Sequence, residues 1–261
     1  MPVFQTGDVV KRIRKDAAMP SKRLEHSHRP ADIASRLATG PDASYLRDWI
    51  YGGIDGAVTT FAVVAGSLGA DLSSKVILIL GIANLLADGF SMAAANYSGS
   101  KSENEDYARL KAVEEKHISV APDGEREEIR QIFLTKGFEG EDLETMVRLV
   151  TSNRAAWIET MMQGEYGMTD ATRTPMKAAL YTFAAFIVFG SIPLLPFVLD
   201  LPASAITATV MTALAFFTIG SFRAHWSQRH WISCGLETMA IGMLAAGIAF
   251  AAGHGLQTLL G

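Results

Sequence analysis

The sequence predicts an all-α integral membrane protein: five transmembrane helices, with a helical insert between the second and the third. Three observations predict it. The 261 residues are 49% hydrophobic and 19% charged, with a mean hydropathy of +0.20, more apolar than an ordinary soluble domain of this length. The apolar residues are clumped into long uncharged stretches, and about 20 such residues in a helix match the ~30 Å hydrocarbon layer of a bilayer. Residues 100–175 have the opposite character, with sixteen acidic against ten basic residues and a net charge of −6, where the whole chain has −4.

Four regions follow in order. Residues 1–47 form a polar N-terminal arm with Pro20, Pro30 and Pro41, read as a loose arm or a surface helix. It has no apolar core beside its basic residues, so no cleavable signal peptide is expected. Residues 48–99 hold the first two spans, near Trp49–Ala70 and Val76–Gly99. Residues 100–175 are the insert. Residues 176–258 hold spans near Met176–Leu199, Ala203–Phe222 and Trp231–Leu256. In the third of the five, Pro193 and Pro196 near the end predict a kink or an early exit.

Within the insert, the second span is expected to continue outward from Tyr97 to about Val120. Pro122–Asp123–Gly124 then breaks the chain. Helices follow over Glu125–Lys136, Glu141–Val150 and Ala155–Thr169.

Lysine and arginine set the expected orientation. Nine lie in residues 1–47, and Arg223 and Arg229 flank a short connection; the turns at Asp71–Lys75 and Asp200–Pro202 hold one lysine and no arginine. The arm and the insert are thus expected in the cytosol, and the C-terminus, after His254, on the far side. A single cysteine, Cys234, excludes an intrachain disulfide or a thiolate metal cluster. No Walker or dinucleotide glycine pattern occurs, so direct driving by ATP has no support. No nucleic-acid partner and no tightly bound cofactor are expected; the bilayer itself is a partner.

Two sets of residues carry candidate chemistry. In the insert, Glu114 with His117, Glu125 with Glu128, and Met161 with Glu165 are each three or four residues apart and so share a helix face. Carboxylates, imidazole and a thioether together suit Fe2+, Mn2+ or Zn2+ better than Mg2+ or Ca2+. The same spacings also describe a solvated acidic surface. Glu114-x-x-His117 matches half of a ferritin-like di-iron motif, which leaves a membrane-anchored oxidase open, and a metal-sensing membrane protein that transports nothing is a further alternative.

The second set lies inside the spans, where an ionisable group is expensive and faces a cavity or a partner. Asp55 sits about five residues, roughly 8 Å, inside the first span. Asn84, Asp88 and Met92 recur every four residues along one face of the second, with Met92 at nearly the depth of Asp55. Glu237 enters the fifth span. These groups could equally pair with Arg47, Arg223 or one another. Gly52-x-x-x-Gly56 beside Asp55 permits close helix approach, in a dimer seam or within one subunit.

Several short stretches together resemble one known family. They are Ile54–Asp55–Gly56, Ser91–Met92, Lys101–Ser102–Glu103, Trp157 ahead of Met161–Met162–Gln163–Gly164–Glu165, and Ile192–Pro193–Leu194–Leu195–Pro196. From about residue 46 to 258 the chain resembles the vacuolar iron transporter family. The resemblance implies a homodimer of five-span subunits that exchanges cytosolic Fe2+, often Mn2+ too, for protons, with Zn2+ as a surrogate. A bacterial-type member would sit in the inner (plasma) membrane. It implies translocation through Asp55 and Met92, and a cytosolic metal site at Glu114, His117, Glu125, Glu128, Met161 and Glu165. Two positions depart from the family pattern. His117 stands where a Glu is expected, and Asn84 where plant-like members carry a Glu, a role that Asp88 one turn away is expected to take over.

Overall fold

The computed structural model describes residues 27–39, 43–169, 173–224 and 229–260. Every regular element among them is helical. The chain divides into two compact units, Met1–Asp42 and Ala43–Gly261. In the first, the described element is helix α1, Pro30–Thr39, with proline at its first position and Asp32 in its first turn, both favourable at a helix start. It falls in the arm expected to be a loose segment or a surface helix; residues 1–26 of that arm lie outside the described residues.

The second unit is built around α2, Leu46–Gly69. It packs along α7 (Pro175–Gly190) and α10 (Trp231–Leu260) and also touches α3 (Ser74–Val120) and α9 (Ser204–Arg223). Four helical stretches are long and apolar enough to cross a membrane: α3, the run Pro175–Val198, α9 and α10. At most 39% of their most apolar windows is buried in the protein, and large side chains such as Ile79, Leu86, Phe90, Leu214, Leu244 and Ile248 point outward. A surface of that kind needs lipid around it.

Helix α2 is not among the four, although a span was expected at Trp49–Ala70. Asp48, Asp55 and several glycines and threonines dilute its apolar character. The packing explains why that is tolerated: enclosed by four helices, α2 meets protein where the others meet lipid. Its close approach to α7 depends on glycine. A Cβ at Gly52 would collide with the Thr182 carbonyl oxygen, and one at Gly56 with that of Phe186. Gly52-x-x-x-Gly56 therefore serves packing inside one chain. Phe61, Val64, Phe186, Leu194 and Phe216 fill the core beside this seam.

The third expected span ends as its prolines predict. Helix α7 stops at Gly190, and a 3-10 turn at Ile192–Leu194 leads into α8, Leu195–Val198. The turn into α9 needs positive φ at Asp200 and Ala203.

Helix α3 runs unbroken for 47 residues, about 70 Å at 1.5 Å per residue, so its polar half projects far beyond any bilayer-sized layer. Helices α4 (Pro122–Thr135) and α6 (Arg154–Gly164) fold against that half, and α5 (Gly140–Thr151) packs on those two. Ile118, Ile129, Phe133, Leu143, Val147, Trp157, Ile158, Met161 and Met162 form their shared core. The break before α4 is shorter than expected. Pro122 occupies the first position of the helix, where its missing N–H costs nothing, so the chain turns at Ala121 alone. Helix α6 begins on Asn153, whose side chain accepts from the N–H groups of Ala155 (3.0 Å) and Ala156 (3.2 Å). It ends at Gly164 and not near Thr169, because Gly167 adopts φ +65° and turns the chain away.

Gly56→Ala should lower the melting temperature of the detergent-purified protein, since a methyl forced against the α7 backbone costs about 1–3 kcal/mol. Gly99→Ala has nothing within 4 Å of the added carbon and should raise it slightly, by the ~0.5–1 kcal/mol that alanine gains over glycine in a helix. Melting curves of the two variants measured side by side check both.

Candidate functional site

Glu114, His117, Glu125, Glu128 and Glu165, all expected as ligands in the insert, converge. Glu114 and His117 lie one turn apart on α3, Glu125 and Glu128 on the first half of α4, and Glu165 caps the end of α6. Two groups result, Glu114–His117–Glu125 and Glu114–Glu128–Glu165, each with ligand atoms within 4.8 Å of one another. Glu114 belongs to both. His117 Nδ1 lies 3.5 Å from Glu125 Oε1 and 4.0 Å from Glu114 Oε1. The sixth expected ligand, Met161, is fully buried in the core of the insert.

His117, Glu128 and Glu165 are exposed, but two members are buried, which sets the cluster apart from a solvated acidic surface. Glu114 is 1% exposed and Glu125 4%. Oε2 of each is buried with no hydrogen-bond partner, an arrangement that a bare carboxylate does not sustain without cost. A divalent cation would satisfy both oxygens, so the donor set fits a hard or borderline metal ion. Burial, with Glu128 and Glu114 beside it, pushes the Glu125 carboxyl up to about 7. Burial, with Glu114 and Glu128, also raises Glu165. Several other acids of the insert are paired: Arg130 bridges Glu127 and Glu144, and Asp106 and Asp123 pair with Arg109 and Arg126.

The second set lies among the apolar helices. The carboxylates of Asp55 on α2 and Asp88 on α3 are close enough to repel each other. Asn84, one turn from Asp88, has a buried Nδ2 without a partner. Met92, one turn further along, lines a cavity of about 330 Å3 together with Asp48, Tyr51, Asn96 and Glu103. Asn84, Asp88 and Met92 are all half-buried on α3, and Asp55 is half-buried on α2, which packs against it. Glu237 does not join them: its carboxylate accepts from Arg229 at 2.7 Å and Arg223 at 3.5 Å, the pairing alternative raised above.

The stripe extends further than Met92. Asn96 and Ser100 continue the four-residue spacing, and that spacing was the signal that could have found them. Asn96 Nδ2 donates to Asp48 Oδ1 (2.9 Å) and to Thr182 Oγ1 (2.7 Å). Asp48, 4% exposed, also pairs with Arg173. This junction ties α2, α3 and α7 together beside the cavity. Tyr166, whose hydroxyl donates to Glu114 at 2.9 Å, was equally unforeseen.

Fold and site together define a helical membrane protein with carboxylates inside the bundle and a cation-suited acidic cluster on its one overlong helix. Residues 46–254 match the model of the VIT family. The chain is 33% identical over 208 residues to "Vacuolar iron transporter 1" of Arabidopsis thaliana, covering 78% of this chain and 83% of that protein. It is 30% identical over 224 residues to "Vacuolar iron transporter" of Plasmodium falciparum, covering 81% and 82%. It is 29% identical over 244 residues to "Vacuolar iron transporter 1" of Eucalyptus grandis, covering 92% and 95%. The chain belongs to the VIT family.

The raised Glu125 carboxyl gives the metal-free insert a pH dependence of definite sign. A carboxyl with a folded pKa above its unfolded value contributes stability that is complete below about 4.5 and lost as pH rises through about 7. The metal-free protein should therefore melt higher at pH 5.5 than at pH 8, and Glu125→Gln should flatten that difference. Added Mn2+ should reverse the trend, because the cation competes with protons for the same carboxylates and gains up to about tenfold in affinity per pH unit for each proton displaced. Differential scanning fluorimetry across pH, with chelator and with Mn2+, measures all three.

Proposed function

We propose that this protein is a transporter that carries Fe2+, Mn2+ or both out of the cytosol in exchange for protons. The observation that carries this reading is that two helices packed together inside an apolar bundle, α2 and α3, each carry a half-buried carboxylate, Asp55 and Asp88, near enough for one charge to act on the other. A pair of that kind is costly without a counter-ion, and it holds a divalent cation or protons in turn. Family membership supports the reading, and so do the relatives' names, which give iron as their cargo.

In this reading α2 is the fifth span beside the four apolar ones. The Lys/Arg-rich arm and the insert lie in the cytosol, and the C-terminus lies on the far side, in a bacterial inner membrane. The outward apolar faces meet lipid and a second copy of the chain in a homodimer. The insert, with its net charge of −6, raises the local cation concentration at the cytosolic mouth. A cation released from the Glu114 cluster passes the cavity beside Met92, whose thioether offers a soft ligand, and reaches Asp55 and Asp88. Protons from an acidic far side then take its place on the same carboxylates, so coupling needs no separate device.

Asp55→Asn keeps shape and hydrogen bonding and removes the exchangeable charge. Reconstituted in vesicles with an internal pH dye, under reducing conditions, it should lose at least 90% of both Fe2+ flux and metal-driven proton counterflow. Near-normal coupled flux in the variant would make Asp55 structural. The topology is read separately by cysteine labelling in a Cys234→Ser background. Ser119→Cys should react only from the cytosolic side and Gly261→Cys only from outside.

A further inference from the structure

Tyr166 stands two residues past the end of α6, directly after Glu165. The chain folds back there: Gly167 has φ +65°, and the Met168 N–H donates to the Met162 carbonyl at 2.9 Å. This turn lays the Tyr166 ring against the core of the insert and delivers its hydroxyl to Glu114 Oε1 at 2.9 Å. The hydroxyl also interacts with the Glu165 carboxylate. It therefore spans two helices at the cluster, and one of the carboxylates it touches is the one common to both candidate ligand groups.

We infer that Tyr166 is the positioning residue of the metal cluster, holding Oε1 of Glu114 so that Oε2 is the oxygen left open to a cation. The inference rests on the reading of the cluster as a metal site. Three features carry it. Oε1 of Glu114 is engaged and Oε2 is buried without a partner, so the two oxygens of one carboxylate are already sorted. The donor is uncharged. A lysine or arginine in its place would steady Glu114 equally well but would act as a tethered cation competing with the metal, whereas a phenol orients the carboxylate and leaves its charge available. Lastly, a tyrosine side chain has few rotamers to lose, and its ring is packed, so the oxygen it holds stays fixed between metal arrivals.

Because Glu114 is shared, losing the Tyr166 hydroxyl should weaken both positions together. A ligand on one side, such as Glu128, affects one. The test is calorimetric titration of the full-length protein in detergent with Mn2+ alone. Tyr166→Phe should bind Mn2+ about 10–100-fold more weakly in every resolved step, the usual range for a group that orients a metal ligand. Glu128→Ala, as reference, should weaken one step. Wild-type affinity in Tyr166→Phe together with a lower melting temperature would reduce Tyr166 to packing and overturn the inference. A wild-type protein that takes up no Mn2+ would overturn the metal-site reading and the inference with it. A measurement free of any variant is an experimental structure of the wild-type protein with Mn2+ bound: the phenol oxygen should remain on Glu114 with Mn2+ on the other oxygen. Direct coordination of Mn2+ by Tyr166 would overturn its role as a positioning residue.

Discussion

The rest of the structure follows from one constraint: carboxylates carried on a helix inside an apolar bundle must be kept from lipid. Helix α2 bears Asp48 and Asp55, and four other helices surround it. The cost of those charges in hydrocarbon, a few kcal/mol each on insertion scales, requires that enclosure, and the glycines facing α7 allow it by letting two backbones meet. Asp48 is given Arg173 and Asn96 as partners. Asp55 is given Asp88, a neighbour of the same sign. Asp48 thus has donors for partners, and Asp55 has a like charge for a neighbour.

The same contrast recurs in the insert. Several of its exposed acids pair with arginines within a turn or on a neighbouring helix. Glu114 and Glu125 are buried, each with an oxygen that no donor meets. Glu114 on α3 and Glu125 on α4 thus stand where a cation would remove the penalty.

Much of this was legible in the sequence, for physical reasons that also set the limit. Long apolar runs reveal lipid-facing helices, so α3, α9 and α10 begin within a residue or two of where their composition says they should. Helix pairs such as Glu114 with His117 and Glu125 with Glu128 are legible because one turn brings them together. Helix α2 is harder to read: its enclosure removes the need for an apolar surface, and the most central helix is the one left out when only apolar spans are counted. Illegible altogether were contacts made by the fold alone. Asp48 meets Arg173 across 125 positions of chain, and Tyr166 meets Glu114 across 52; no local spacing encodes either. The end of α6 was misjudged because the positive φ at Gly167 depends on what the turn must reach.

The unbroken course of α3 has a mechanical consequence. Asp88 and Glu114 are 26 positions apart on one continuous helix, about 39 Å at 1.5 Å per residue. Such a rod works as a lever with its fulcrum among the packed helices. A tilt of only about 5° at Asp88 swings the Glu114 end by about 3 Å, the length of a hydrogen bond. Any displacement of α3 at the Glu114 end would therefore act as torque at Asp88, through leverage and with no chain of side chains needed to relay it.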